Sequence, residues 1–284
     1  MNETTVTKII AILHPGEMGA AIGAGLAAHG HRVVWASAGR AAATGRRALD
    51  AGLEDVETLA RVAQTADIVF SVCPPHAALD LARAVAACGF AGVYVDCNAV
   101  SADTTRAVGR VVEAAGATYV DAGIIGPPPV PGASVRLYVC GNRAAEIATL
   151  FEGHIMQAIA LDGPVGAASA LKVCYAAWNK GATALLAGIR ALAAQEGVDA
   201  ALLAEWEISQ PGISKRSEMV TVSARKAWRW IAEMEEVAAS FEAAGLPAGF
   251  HLAAADIYRK LEGFKDAAKP PALAEVTAAL SRRA

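Results

Sequence analysis

The chain has 284 residues, a formal net charge of −3, and 55% hydrophobic against 19% charged residues. That length and apolar content support a substantial core with room for two domains, and no block of like charge marks a nucleic-acid surface or a membrane-binding face. The polar start, residues 1–8, and the lack of a long apolar run predict neither a signal peptide nor a membrane span.

The first apolar run, residues 9–13, feeds into His14-Pro15-Gly16-Glu17-Met18-Gly19-Ala20-Ala21-Ile22-Gly23. Glycines between a strand and a helix let backbone N–H groups approach phosphate oxygens with no Cβ in the way, so this turn is read as the seat of a dinucleotide pyrophosphate. The usual G-x-G-x-x-G is broken at its first glycine, where His14 stands before Pro15. Proline keeps the residue before it extended. Gly16 and Gly19 then carry the phosphate turn and Gly23 the close packing of the helix; a plain strand-to-helix turn is the competing reading.

A second apolar run, residues 31–36, begins one helix later, so strand, helix and strand fit the span of about 30 residues expected of a right-handed βαβ unit. An NAD-preferring site would end this run on Asp or Glu, and neither is present. Instead come Ser37 and Arg40, with Arg46 and Arg47 beyond. A hydroxyl and guanidinium groups suit a 2′-phosphate, which predicts NADP(H) over NAD(H). The alternative for the arginines is a solvated helix face.

Further strand-like runs at residues 67–72, 92–96 and 118–121 alternate with alanine-rich helical segments, the pattern of a parallel sheet covered on both faces. Runs at 134–140 and 156–161 extend the sheet, with a helix at 144–151 between them. After Asp162 the strands stop. The expected organisation is an α/β Rossmann-type domain over residues 1–162 with a mostly parallel sheet, then an all-α domain over 163–284. That second part opens with one uninterrupted helix over residues 165–196, about 45–50 Å long at ~1.5 Å per residue, which reads as the wall between the two domains. Gln210-Pro211-Gly212 and Gly245-Leu246-Pro247 break the helices that follow.

Ligands of open parallel sheets lie beyond the carboxyl ends of the strands. Three segments leave those ends. Cys73-Pro74-Pro75-His76 is a stiff turn suited to wall the cofactor; Asn98, Ala99 and Ser101 offer amide and hydroxyl groups to substrate or nicotinamide; residues 121–129, with Gly123 and Ile124, form a rigid loop. Asn98 and Ser101 as helix caps, and the prolines as chain stops, are the alternatives. On the long helix Lys172 stands alone among apolar and small residues. Burial there would bring its pKa toward neutrality, as proton transfer beside hydride transfer requires; a lysine reaching to solvent is the other reading. Asn179 falls almost in line with Lys172 on the helix and Tyr175 is offset by about 60°. Cys73, Cys88, Cys97, Cys140 and Cys174 lack C-x-x-C spacing and read as structural thiols, mostly buried. The histidines show no ligand spacing, so no metal is expected, and a reducing cytoplasm fits.

The G-E-M-G turn, the D-x-N loop at Asp96 to Asn98, the D-A-G-I-I-G segment and the G-x-x-G-x-x-x-x-x-K helix together resemble the β-hydroxyacid dehydrogenase superfamily, which includes 3-hydroxyisobutyrate and 6-phosphogluconate dehydrogenases and the related imine reductases. The tail is similar to an uncharacterised helical domain found on a phosphogluconate dehydrogenase-like branch. The resemblance implies Lys172 as general acid/base, His14 to Gly19 as the pyrophosphate turn, Ser37 and Arg40 at the ribose phosphate, and Cys73, Pro74, Pro75 and Asn98 along the cofactor. It also implies that Asn98, Ala99, Gly123, Ile124 and Lys172 face substrate. The family's asparagine one turn beyond the lysine is Ala176 here, leaving Tyr175 or Asn179 to substitute. The implied activity is NADP(H)-dependent hydride transfer to or from a small carbonyl or alcohol, with an imine reductase or a non-catalytic NADPH-binding sensor as alternatives. A homodimer through the helical domain is implied as well. Imine reductases of this fold commonly replace the lysine, so its presence favours carbonyl chemistry.

Overall fold

The computed structural model describes residues 7–265 and 267–282. The chain divides into two compact units, residues 1–172 and 173–284.

The first unit is built on an eight-stranded sheet in the order β3-β2-β1-β4-β5-β6-β7-β8. Its strands are β1 (Ile9–Ile12), β2 (Arg32–Trp35), β3 (Glu54–Asp55), β4 (Ile68–Ser71), β5 (Val93–Asp96), β6 (Thr118–Ile125), β7 (Val135–Cys140) and β8 (Met156–Ala160). Every pairing is parallel except β6 with β7. The helices are α1 (Glu17–Ala28), α2 (Ala42–Asp50), α3 (Leu59–Thr65), α4 (Ala78–Ala87), α5 (Ala102–Ala114) and α6 (Ala144–Thr149). A long helix, α7 (Ala167–Gln195), starts in this unit and continues into the second.

Side chains of a strand alternate between its two faces, and the core divides accordingly. Ile10, Ile12, Ile68, Phe70, Val93 and Val95 pack on one face with Ile22 and Leu26 of α1. Ala11, Val69 and Tyr94 pack on the other with Ala82 and Val85 of α4 and Val108 and Val112 of α5. The near-continuous apolar strands therefore serve two layers of helices.

Two departures from the sequence expectation bear on the site. The two-residue β3 was not expected; it is too short and too polar to leave a pattern, and exists through its register with β2. Residues 121–125, expected as a loop, are strand, because β7 returns antiparallel and pairs Asp121 with Cys140 through Ile125 with Arg136. Gly123 and Ile124 are thus sheet residues. The thiols also differ from expectation: Cys97 and Cys140 are buried, Cys73 and Cys88 half-buried, and Cys174 exposed.

The second unit, beyond the shared α7, holds α8 (Asp199–Ser209), α9 (Ile213–Ser217), α10 (Met219–Ser223), α11 (Ala227–Ala243), α12 (Gly249–Lys260) and α13 (Leu273–Ser281). Its core is set by small residues that allow close helix approach, Ala184, Ala187, Ala227 and Ala255 among them, around Met234, Val237 and Tyr258. The Tyr258 hydroxyl donates to the Lys180 carbonyl at 2.6 Å, and its ring meets Trp230 edge-on. The buried Arg190 guanidinium bonds Asp199 at 2.6 and 2.9 Å and the Ser217 hydroxyl at 2.7 Å, tying α7 to α8 and α9.

Candidate functional site

Strand order reverses between β1 and β4, so the carboxyl ends of these strands open the crevice in which ligands of such sheets lie. β1 delivers the chain to His14, Pro15 and Gly16, and Gly16 caps α1. The first backbone bond of that helix runs from the Ala20 N–H to the Gly16 carbonyl. The N–H groups ahead of it, those of Met18 and Gly19 included, have no acceptor inside the helix. The two glycines of the turn have different reasons. A Cβ on Gly19 would press into the His14 carbonyl oxygen, so α1 reaches β1 only because none is there. A Cβ on Gly16 would meet nothing within 4 Å. Gly16 has φ −70° and ψ −171°, which any residue adopts, so what its missing Cβ leaves is open space before the helix end. The turn fits a diphosphate.

Ser37 and Arg40 close a turn after β2, with the Arg40 N–H on the Ser37 carbonyl at 3.0 Å and Gly39 at φ +74°. Both line a cavity of about 400 Å³ together with Trp35, Gly45, Leu49 and Asp55. Arg40 reaches back to the turn between β1 and α1, its guanidinium 2.6 Å from His14 Nε2. Burial and the Arg40 charge hold the His14 imidazole down to about 4. Arg47 braces the same turn from α2, donating to the Pro15 carbonyl at 3.0 Å. Sequence reading missed Asp55. No acid follows β2 along the chain, but β3 brings the Asp55 carboxylate beside it to accept the N–H groups of Ser37 and Glu57 at 3.2 and 2.8 Å. Eighteen residues separate Asp55 from Ser37, and a two-residue strand gives no signal by which to join them.

At the ends of β4 and β5 a buried network holds the next two loops. The Asn98 amide donates to Ser71 at 2.9 Å and Asp96 at 2.6 Å, and its oxygen accepts the Cys73 N–H at 2.6 Å. Tyr119 donates to the other oxygen of Asp96 at 3.2 Å. Burial lifts the Asp96 carboxyl to about 6 and pushes the Cys73 thiol up to about 12. Asn98, expected to meet ligand, instead spends its amide clamping Cys73-Pro74-Pro75 to the end of β5. Pro75 opens a short 3₁₀ turn from that clamp. Ser101 accepts the Thr104 N–H and caps α5.

β6 sets the lysine. Fully buried Asp121 accepts the N–H groups of Gly166, Ala168 and Ser169 at 3.0, 3.0 and 3.2 Å, and the Ser169 hydroxyl at 2.5 Å. A carboxylate on the N–H groups that open a helix satisfies them and its dipole together. The first compact unit ends at Lys172, ten residues past the expected boundary at Asp162. Two residues on, a Cβ at Gly123 would lie 2.6 Å from the Ala168 carbonyl and 3.2 Å from Lys172 Cβ. Gly123 therefore admits the helix, and the Lys172 ammonium bonds the Ile124 carbonyl. Burial lowers the half-buried lysine to about 8. An acid at the end of two successive strand runs, D-C-N and D-A-G, was the available signal for Asp96 and Asp121.

The structure thus gathers Gly123, Ile124 and Lys172 in one place, His14, Gly16, Gly19 and Arg40 in another, and Asn98 with Cys73 in a third. Tyr175 and Asn179 fall in the second unit. There the Asn179 amide donates to the Tyr175 carbonyl one turn back, at 3.0 Å, and the Tyr175 side chain is exposed.

Residues 10–148 match the model described as the NAD binding domain of 6-phosphogluconate dehydrogenase. That part of the chain belongs to the family of 6-phosphogluconate dehydrogenase NAD binding domains. Residues 193–261 match a domain of unknown function, DUF1932. Among solved structures, a conserved hypothetical protein from Sinorhizobium meliloti 1021 is 25% identical with a TM-score of 0.74, over 99% of this chain and 98% of the other. Mycobacterium tuberculosis 3-hydroxyisobutyrate dehydrogenase, solved with L-serine, gives a TM-score of 0.73 at 21% identity, over 98% of this chain and all (100%) of that one. A reductive aminase from Aspergillus terreus in complex with NADPH and ethyl levulinate gives 0.57 at 17% identity, over 95% and 98%. The search of curated proteins finds no match. Residues 10–148 thus hold an NAD-type dinucleotide-binding domain.

Proposed function

We propose that this dehydrogenase-like chain is an NADP(H)-dependent oxidoreductase acting on a small, carboxylate-bearing alcohol or carbonyl compound. The observation that carries the proposal is Lys172: a half-buried ammonium held at about 8 by desolvation, fixed on the Ile124 carbonyl where β6 meets the start of α7. A group titrating near neutrality can both take and return a proton. When bound, the nicotinamide supplies or accepts the hydride. In oxidation the neutral amine of Lys172 takes the substrate hydroxyl proton as hydride leaves the carbinol carbon; in reduction the ammonium returns it. Gly16, Gly19 and the open end of α1 would hold the pyrophosphate, and Ser37 with the exposed Arg40 the 2′-phosphate. Asn98 positions the Cys73-Pro74-Pro75 wall. The exposed apolar side chains of the second unit, Trp178, Leu192, Ile208 and Phe250 among them, support pairing with a second copy, and the five free thiols agree with a reducing cytoplasm.

The test is a panel of 3-hydroxy acids, their oxo counterparts and cyclic imines with NADPH, run on the wild type and on Lys172→Ala. Turnover of a hydroxy acid or oxo acid that falls at least a hundredfold in the variant, with NADPH still bound, is the expected result. Near-normal turnover in Lys172→Ala refutes the acid/base role, and activity confined to imines refutes the carbonyl assignment.

A further inference from the structure

The geometry points to His14 as a positioning residue for cofactor choice: its imidazole holds the Arg40 guanidinium beside the phosphate turn, so that discrimination for the 2′-phosphorylated dinucleotide depends on the pair and not on Arg40 alone. This rests on the NADP(H) reading above.

Three observations converge. His14 occupies the place where such turns ordinarily carry their first glycine, at the mouth of β1. Its Nε2 lies 2.6 Å from Arg40 across 26 residues of chain. Arginine has only donors, so Nε2 must be the acceptor and the neutral ring carries its proton on Nδ1. That Nδ1 is buried and has no partner among the described residues. Burial and the Arg40 charge both disfavour the imidazolium, which keeps Nε2 an acceptor at neutral pH.

The Arg40 side chain is otherwise exposed and follows a glycine turn. A long cation in that setting samples many rotamers, and a fixed acceptor reduces what must be ordered when a phosphate binds. Arg47, bonded to the Pro15 carbonyl, fixes the backbone of the same turn independently. The two arginines thus have separate roles, in which Arg47 holds the chain while Arg40, through His14, faces the ligand.

Calorimetric titration of NADPH and NADH into the wild type, Arg40→Ala, His14→Ala, the double variant and His14→Gln separates these roles, with thermal melting of each variant as a check on folding. The quantity read is the ratio of NADH to NADPH dissociation constants. His14→Ala should lower that ratio about five- to tenfold, a part of what one hydrogen bond to a charged group is worth, since Arg40 itself remains. The double variant should lower it no further than Arg40→Ala, and His14→Gln, whose amide oxygen accepts from Arg40, should restore most of it. A loss of NADH and NADPH affinity by the same factor in His14→Ala, or effects that multiply in the double variant, overturns the proposal. If Arg40→Ala itself leaves the ratio unchanged, the NADP(H) reading falls and takes the proposal with it. If only Arg40→Ala lowers the ratio, the proposal alone falls.

Discussion

Asp121→Ala is expected to undo the start of α7. The carboxylate serves three backbone N–H groups and one hydroxyl in a fully buried position. Truncation leaves these four donors without an acceptor, and a buried donor left unpaired costs about 1–3 kcal/mol. The helix start can shift toward water and recover part of this, so the lower half of the summed range applies, about 4–8 kcal/mol. That is a large share of the roughly 5–15 kcal/mol by which domains are stable. Asp121→Asn is the control. Its amide oxygen can keep the three N–H groups, while its NH₂ faces Ser169, whose oxygen already accepts from Thr105 at 2.8 Å. A cost of about 1–2 kcal/mol follows, the difference between charged and neutral acceptors. Urea denaturation of wild type and both variants measures these values from midpoint and slope. The reasoning fails if Asp121→Ala lies within about 1 kcal/mol of wild type, or if the alanine and asparagine variants are equally destabilised.

Two further outcomes follow from the site. Gly16→Ala should leave the melting temperature unchanged, since its Cβ meets nothing, yet weaken NADPH at least tenfold by filling the space before α1. Gly19→Ala should weaken NADPH and also destabilise the fold by about 1–3 kcal/mol, because its Cβ meets the His14 carbonyl; unchanged affinity in Gly16→Ala excludes the diphosphate from this turn. Lys172, lowered to about 8 by burial, is needed as the neutral amine for alcohol oxidation and as the ammonium for carbonyl reduction. Oxidation should therefore rise as pH passes upward through about 8 and reduction should fall over the same window. Profiles flat between pH ~6 and ~10 would remove the lysine from the proton step.

What could be read along the chain is what depends on near neighbours. Alternating apolar runs marked seven of the eight strands, because a strand buried on both faces leaves a dense local pattern. Gly16 and Gly19 before a helix announced the close strand-to-helix turn, and a lone lysine among small residues announced a half-buried Lys172, since backbone freedom and desolvation are set by adjacent residue types. Tertiary contact decided the rest. Whether residues 121–125 are loop or strand turned on β7 returning antiparallel. What holds the start of α7 is one carboxylate reaching 45 to 48 residues ahead. The acid near Ser37 and the guanidinium on His14 lie 18 and 26 residues from their partners. Such pairings arise only once the sheet has set the strand ends side by side, because hydrogen bonds form between groups adjacent in space and separation along the chain carries no trace of them.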